Sequence, residues 1–314
     1  MTKNVGSYLT TEHKECILKM SEIGENIANL RGKPLVVMFY SKEDDAGIDE
    51  NDLYRLEDKL DERIPAGCNE MDVCVQTSGG DANTSYLLAQ LLRDYCHYME
   101  LIIPNYAYSG GTLIALASNK ILLGRTARIS PIDLQLYTQR TPPFALIDIE
   151  KYIDFLNNTC EKIEFESEKN KTELLTTLLE KLVEEEGAKK LGELFRKRRM
   201  TELHARILLV DYMFKCCSDK GNKISRAVKG LTSESPSHDF EIDYNIAKKL
   251  IGLNIEKMDG NLYKLTRQLM SNLDKAKELG LICSFVGAER EPYFEIFLPK
   301  QSGQKNGDKN DKKE

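Results

Sequence analysis

Histidine is scarce in this chain, four in 314 residues, so chemistry that needs an imidazole has only His13, His97, His204 and His238 to draw on. Long apolar runs are missing as well. None reaches the ~18 residues that cross a bilayer. The N-terminal MTKNVGSYLTTEHKE has no hydrophobic export core. The expectation is a cytoplasmic chain without a membrane span. Cationic surplus is also absent: 44 Lys and Arg against 50 Asp and Glu leave a net charge of −6, which argues against a nucleic-acid or anionic-membrane partner. The one basic cluster, Arg196-Lys197-Arg198-Arg199, reads as a solvated helix face. The eight cysteines have no metal-ligand spacing and read as free thiols. No zinc, P-loop or dinucleotide signature occurs, and SGGD (Ser78–Asp81) lacks the third glycine of a dinucleotide turn. No metal and no cofactor are expected.

What is present is a charged, soluble composition (30% charged, 41% hydrophobic) and two strand–glycine–helix units. Met71–Val75 (MDVCV) ends in Gln76-Thr77-Ser78-Gly79-Gly80-Asp81, and a helical pattern follows with Leu87, Leu88, Leu91 and Leu92 on one face. About thirty residues on, Leu101–Ile103 ends in Tyr108-Ser109-Gly110-Gly111-Thr112 and another helix-forming run. Right-handed crossovers put both glycine turns at one edge of a parallel sheet. Ser109 is either a helix N-cap or a nucleophile lifted off a strand-to-helix turn. In the second reading the Gly80 and Gly110 amides form a pair of oxyanion donors.

These residues carry a resemblance. SGGD, YSGGTLIALASNKI and SPID, over about Pro34 to Gln135, resemble the core of the Clp protease/crotonase superfamily. More closely they are similar to the serine dehydrogenase proteinase family, which is related to signal peptide peptidase A. The match resumes at Ser237-His238-Asp239-Phe240 and runs to Gly252-Leu253, so it spans about half the chain. The resemblance implies an α/β fold of repeated βα units with a helical C-terminal part. It also implies a serine peptidase acting on peptide or protein substrates, and assembly into a homo-oligomer.

The family's triad runs Ser, Asp, His. Carried over by motif, Ser109 is the nucleophile, Asp133 of Ser130-Pro131-Ile132-Asp133 the orienting carboxylate and His238 the base. Glu241 stands where many members have proline. Asp133 as a turn-closing residue and His238 as a loop histidine remain open. A Ser-Lys dyad of the signal peptide peptidase A kind would use Lys151 or Lys162, provided burial lowered the lysine pKa. Two other classes remain open: a crotonase-like acyl-coenzyme A enzyme, which needs no serine nucleophile, and an inactive scaffold that binds partners.

The pattern along the chain predicts an N-terminal helix (1–33), a βα core (34–140), a mainly helical part completing the site (141–260), a C-terminal helix and hairpin (261–299) and a disordered tail (300–314). Within these, a short helix is expected over Asp239–Gly252. Ile282–Val286 is expected to pair with Tyr293–Leu298, and Gly280 to cap the helix before it.

Overall fold

The computed structural model describes residues 10–40, 47–132, 135–136, 144–162, 167–237, 239–279, 281 and 293–300. Its first helix, α1 (Thr11–Arg31), begins at Thr10, whose hydroxyl accepts from the His13 amide while the His13 ring accepts from the Thr10 amide. It ends at Gly32, at a left-handed φ of 69° that only glycine adopts freely. There follow β1 (Leu35–Phe39), α2 (Asn51–Arg63), β2 (Glu70–Gln76), α3 (Ala82–Asp94), β3 (Tyr98–Ile103), β4 (Tyr106–Ala107), α4 (Gly110–Ala115), β5 (Lys120–Leu123) and β6 (Arg128–Ile129). Next come the short pair β7 (Gln135–Leu136) and β8 (Phe144–Ala145), then the helices α5 (Leu146–Lys162), α6 (Glu168–Glu186), α7 (Ala188–Leu208) and α8 (Lys220–Leu231). A π-helical turn at Leu209–Met213 extends α7, and another spans Ile246–Ile251 before β9 (Ile255–Lys257), α9 (Gly260–Glu278) and β10 (Tyr293–Phe297).

Six strands form one sheet in the order β10-β1-β2-β3-β5-β9, parallel except for β10 against β1. The fold is therefore α/β, with repeated βα units followed by a helical C-terminal part. Parallel strands are covered on both faces, which explains their uninterrupted apolar runs. Alternate residues serve opposite layers. Val36, Met38, Val73, Val75 and Leu101 pack with Leu56 and Leu60 of α2 and Leu88 and Leu92 of α3. Leu35, Val37, Phe39, Cys74 and Ile102 pack with Met20 and Ile27 of α1 and Leu269 and Leu273 of α9. Each such aliphatic side chain contributes about 1.5–3 kcal/mol on burial. Helix α1 thus lies on the core, and the seven described cysteines are all unpaired.

Three expectations need correction, and a fourth falls in part outside the described residues. Leu87 is half-exposed at 49%, because the stripe of α3 that faces the sheet is Ser85, Leu88, Ala89 and Leu92. Asp239–Asp243 is not helical: Ile242 bridges to Ile129, each amide donating to the other's carbonyl. Tyr293–Phe297 forms a strand where one is expected; β10 pairs with β1, more than 250 residues away, in register Leu35 to Phe297, while its expected hairpin partner Ile282–Val286 and the expected cap Gly280 lie outside the described residues. Strand β9 stands where no strand is expected, since only Ile255 of its three residues is buried.

Candidate active site

Both glycine turns leave the sheet at the carboxyl ends of neighbouring strands, β2 and β3, and are stitched together. The Tyr108 amide donates to the Thr77 carbonyl at 3.0 Å, and the Thr77 amide to the Tyr106 carbonyl at 3.4 Å. Thr77 also shapes its own turn, its hydroxyl accepting from the Gly79 amide at 3.0 Å. Gly79 and Gly80 take φ of 110° and 150°, and their surroundings explain why no side chain is present. A methyl on Gly79 would stand 2.9 Å from Ser109 Cβ and 3.3 Å from the Gly110 nitrogen; one on Gly80 would strike the Ile48 backbone at 2.1 Å.

Ser109 is the one described non-glycine residue with positive φ (φ 45°, ψ −107°). Such a conformation costs on the order of 1–3 kcal/mol and persists only where neighbours impose it. Here they do. The Ser109 amide donates to Ser130 Oγ at 2.7 Å, and Ser130 Oγ in turn donates to the Pro131 carbonyl at 2.9 Å. Thr112 Oγ1 donates to the Ala107 carbonyl at 2.8 Å and accepts from the Ser130 amide at 3.1 Å. The Leu113 amide takes the Ser109 carbonyl at 3.0 Å. The Ser109 side chain is thus held out from a rigid turn, and its hydroxyl makes no hydrogen bond to a described residue and does not cap α4.

Neither the Gly80 nor the Gly110 amide donates to another described residue. The two turns touch: a methyl on Gly110 would lie 3.4 Å from the Gly80 nitrogen. Two unsatisfied N–H groups beside a serine hydroxyl are what an oxyanion formed there requires. Ser130 and Thr112, which hold the serine in place, carry no catalytic signal of their own in the sequence, although both lie inside the motifs quoted above.

Among the described histidines none bonds Ser109. His13 caps α1. His97 precedes β3, at the sheet edge away from the turns. His204, on α7, stacks on Tyr86 with centroids 4.1 Å apart. Burial lowers its pKa, partly opposed by Asp81, and its Nδ1 has no hydrogen-bond partner among the described residues. Asp133 and His238 lie outside the described residues, but the flanks of His238 are placed. Beyond Ser237, Ile242 joins β6, which pairs with β4 directly before the serine turn. Glu241 Oε1 accepts from the Tyr108 hydroxyl at 3.0 Å, and Glu241 also pairs with Arg128. Lys151 reaches the Ser233 carbonyl at 3.4 Å and faces Asp154 at 3.9 Å. Lys162 is exposed at the end of α5. Among the described residues no group of three or more His, Cys, Asp or Glu could hold a metal ion, and no helix is long and apolar enough to cross a membrane.

Residues 11–232 match the family of ClpP-like SDH-type serine proteinases, and the chain belongs to that family. Two proteins of Methanocaldococcus jannaschii are similar to it in sequence. Uncharacterized protein MJ0137 is 30% identical over 131 residues, which is 40% of this chain and 46% of that protein. Uncharacterized protein MJ1495 is 39% identical over 66 residues, 21% of this chain and 23% of that protein. The chain thus spans less than half the length of either relative. Among solved structures, a point mutant of ClpP1 from Listeria monocytogenes covers 78% of this chain and 99% of its own, at 12% identity and a TM-score of 0.40. A point mutant of the 1510-N membrane-bound stomatin-specific protease covers 69% of this chain and 76% of its own, at 13% identity and a TM-score of 0.32.

Proposed function

We propose that this member of the ClpP-like SDH-type serine proteinases is a peptidase in which Ser109 attacks the peptide carbonyl, His238 moves the proton and Asp133 orients the imidazole. The observation that carries the reading is the positive-φ Ser109 held beside Gly80 and Gly110, whose amides have no acceptor among the described residues. Ser109 Oγ forms a bond to the carbonyl carbon as its proton passes to the neutral ring of His238. The carbonyl oxygen gathers negative charge, which the Gly80 and Gly110 N–H groups stabilise; one such donor is worth ~3–4 kcal/mol of barrier. When the C–N bond breaks, the imidazolium returns the proton to the leaving amine. Water, deprotonated by the same ring, then releases the acid and restores Ser109.

The 239–243 segment, which follows His238, is tied to β6 and to Tyr108 next to Ser109, and this supports His238 as base; of the other histidines, the His13 ring caps α1 and His204 stacks on Tyr86. The same proposal includes assembly into a homo-oligomer, supported by exposed apolar side chains on the helical part such as Phe155, Phe195 and Leu203.

The test is covalent labelling by a fluorophosphonate probe, read by mass spectrometry on the full chain, for the wild type and for Ser109→Ala, His238→Ala, Asp133→Asn, Lys151→Ala and Lys162→Ala. A triad predicts labelling at Ser109 that is lost in His238→Ala, weakened in Asp133→Asn and kept in both lysine variants. Loss in a lysine variant instead would move the mechanism to a Ser-Lys dyad, and an unlabelled folded wild type would overturn the hydrolase reading.

A further inference from the structure

The oxyanion donor at Gly80 is not held by its own strand alone. Ile48, from the connection between β1 and α2, lies against the glycine turn and grips it from both sides: the Ile48 amide donates to the Gly79 carbonyl at 2.8 Å, and the Asp81 amide donates to the Ile48 carbonyl at 2.9 Å. The Gly79–Gly80 and Gly80–Asp81 peptide planes are thereby fixed. With the backbone of Ile48 filling the space beside the Gly80 Cα, the Gly80 N–H is left to face the Gly110 turn.

Ile48 itself is anchored by the next residues. The Asp49 amide donates to Asp52 Oδ2 at 3.0 Å, and the same oxygen accepts from the Tyr40 hydroxyl at 3.0 Å. Tyr40 directly follows β1, where its amide bonds the Gln76 carbonyl just before the glycine turn. Both Tyr40 and Asp52 are fully buried. Asp52 Oδ1 has no hydrogen-bond partner among the described residues and faces Arg55 at 3.9 Å.

A helix cap alone does not account for this. The Asp49 carboxylate, exposed and one residue before the N-cap Glu50, already accepts from the Asn51 amide, the first of α2, at 2.8 Å. Removing a carboxyl from water as completely as Asp52 has been removed carries a desolvation cost that a cap does not need.

We propose that Tyr40, Asp52 and the Ile48 backbone are a positioning device for the Gly80 N–H, coupling the buried carboxyl to the donor beside Ser109. Asp52 is a positioning residue here, since it acts through Ile48. The inference rests on the serine-hydrolase reading.

The test uses the full chain with Asp52→Asn and with the double variant Tyr40→Phe/Asp52→Leu, which replaces both partners by apolar groups of similar shape and so leaves no buried polar orphan in this pair. Three quantities are read: the fluorophosphonate labelling rate at Ser109 against probe concentration, amide exchange of peptides spanning 47–53 and 77–82, and melting temperature. The double variant is expected to react at least tenfold more slowly at saturating probe, with half-saturation unchanged within twofold. Faster exchange at Ile48 and Asp81 and a melting temperature near that of the wild type should accompany it. Labelling at the wild-type rate in a folded double variant, or exchange at the wild-type rate, overturns the proposal. If the wild type itself is not labelled, the hydrolase reading falls. The catalytic meaning of the Ile48 contact falls with it, and exchange still decides whether Asp52 holds the glycine turn.

Discussion

The hydroxyl of Tyr108 donates to Glu241 Oε1 at 3.0 Å, tying the residue before Ser109 to a segment 133 residues further along. Arg128 closes on the other carboxylate oxygen. Burial raises the Tyr108 pKa, with Glu241 adding to the effect, so the phenol stays the donor. Glu241 and Arg128 are roughly half exposed, so the clasp is worth at most about 1 kcal/mol. Glu241→Ala is therefore expected to lower peptidase kcat/KM up to about fivefold, as its 1 kcal/mol ceiling allows, with melting temperature nearly unchanged. Glu241→Gln, which keeps an acceptor for Tyr108, should fall between. Added salt should slow the wild type toward the Ala variant and affect that variant less. A salt response equal in both would remove the clasp from the account.

Ser109 pays for its position with backbone strain (φ 45°), and glycine would not. Ser109→Gly should abolish labelling and raise unfolding free energy by about 1 kcal/mol, the lower end of the cost of such a conformation; glycine's looser unfolded chain subtracts from the gain. Ser109→Ala, which keeps the strain and loses the hydroxyl, is the control and should stay near wild-type stability. Equal stability of the Gly and Ala variants in chemical denaturation would show that the turn is not strained.

The βα core is legible because buried parallel strands are written as plain apolar runs, LVVMFY, MDVCV and KILL among them, and because glycine at Gly79 and Gly80 marks backbone that other residues cannot adopt. Strand β9 is not, because an edge strand of Ile255-Glu256-Lys257 carries too few buried side chains to leave a pattern. Tyr293–Phe297 reads as a strand, but its partner β1 is chosen by the open edge of the sheet, which no local pattern records. The grip of Ile48 on Gly80 uses main-chain atoms only, so nothing in the identity of residue 48 announces it. Ser109 and its two amides are readable from motif; the acid and the base rest on sequence resemblance, since Asp133 and His238 lie outside the described residues.

At the opposite edge of the sheet, Lys33 sits between Asp72 at 3.1 Å and Glu100 at 3.2 Å, with Arg31 bonded to both. Burial raises the Asp72 pKa despite both cations. At Glu100 burial also pushes upward but is outweighed by Lys33 and Arg31, and the pKa falls. Lys33→Met would leave Asp72 and Glu100 to share Arg31, with Lys120 4.0 Å from Glu100 as the remaining cation, and breaking such a buried set costs about 3–5 kcal/mol. That loss should appear in urea unfolding, while Ser109 labelling of the still-folded variant at low temperature stays at the wild-type rate. A loss under about 1 kcal/mol, the value of an exposed pair, would mean the cluster is solvated.

Asp52 gives a pH signature that separates it from that cluster. Burial lifts its pKa from 3.8 to about 6; the Asp49 amide, the Tyr40 hydroxyl and Arg55 oppose the rise, and the charge of Asp49 adds to it. Among the described residues these groups face it from the end of β1, from the Ile48–Asp49 connection and from α2. A native value above the unfolded one means the proton is held more tightly in the fold. The stabilisation is full below about pH 4 and lost as pH rises through about 6. A gap of roughly two units is worth about 3 kcal/mol. Asn at this position cannot titrate. The stability of the wild type minus that of Asp52→Asn should therefore fall by about 3 kcal/mol between about pH 3 and pH 7, measured by urea unfolding at each pH. Asp72 and Glu100 titrate alike in both proteins and cancel from the difference. A constant difference across that range would mean that Asp52 is already ionised at the acid end in the fold, and that the carboxylate holding the Asp49 amide is charged throughout.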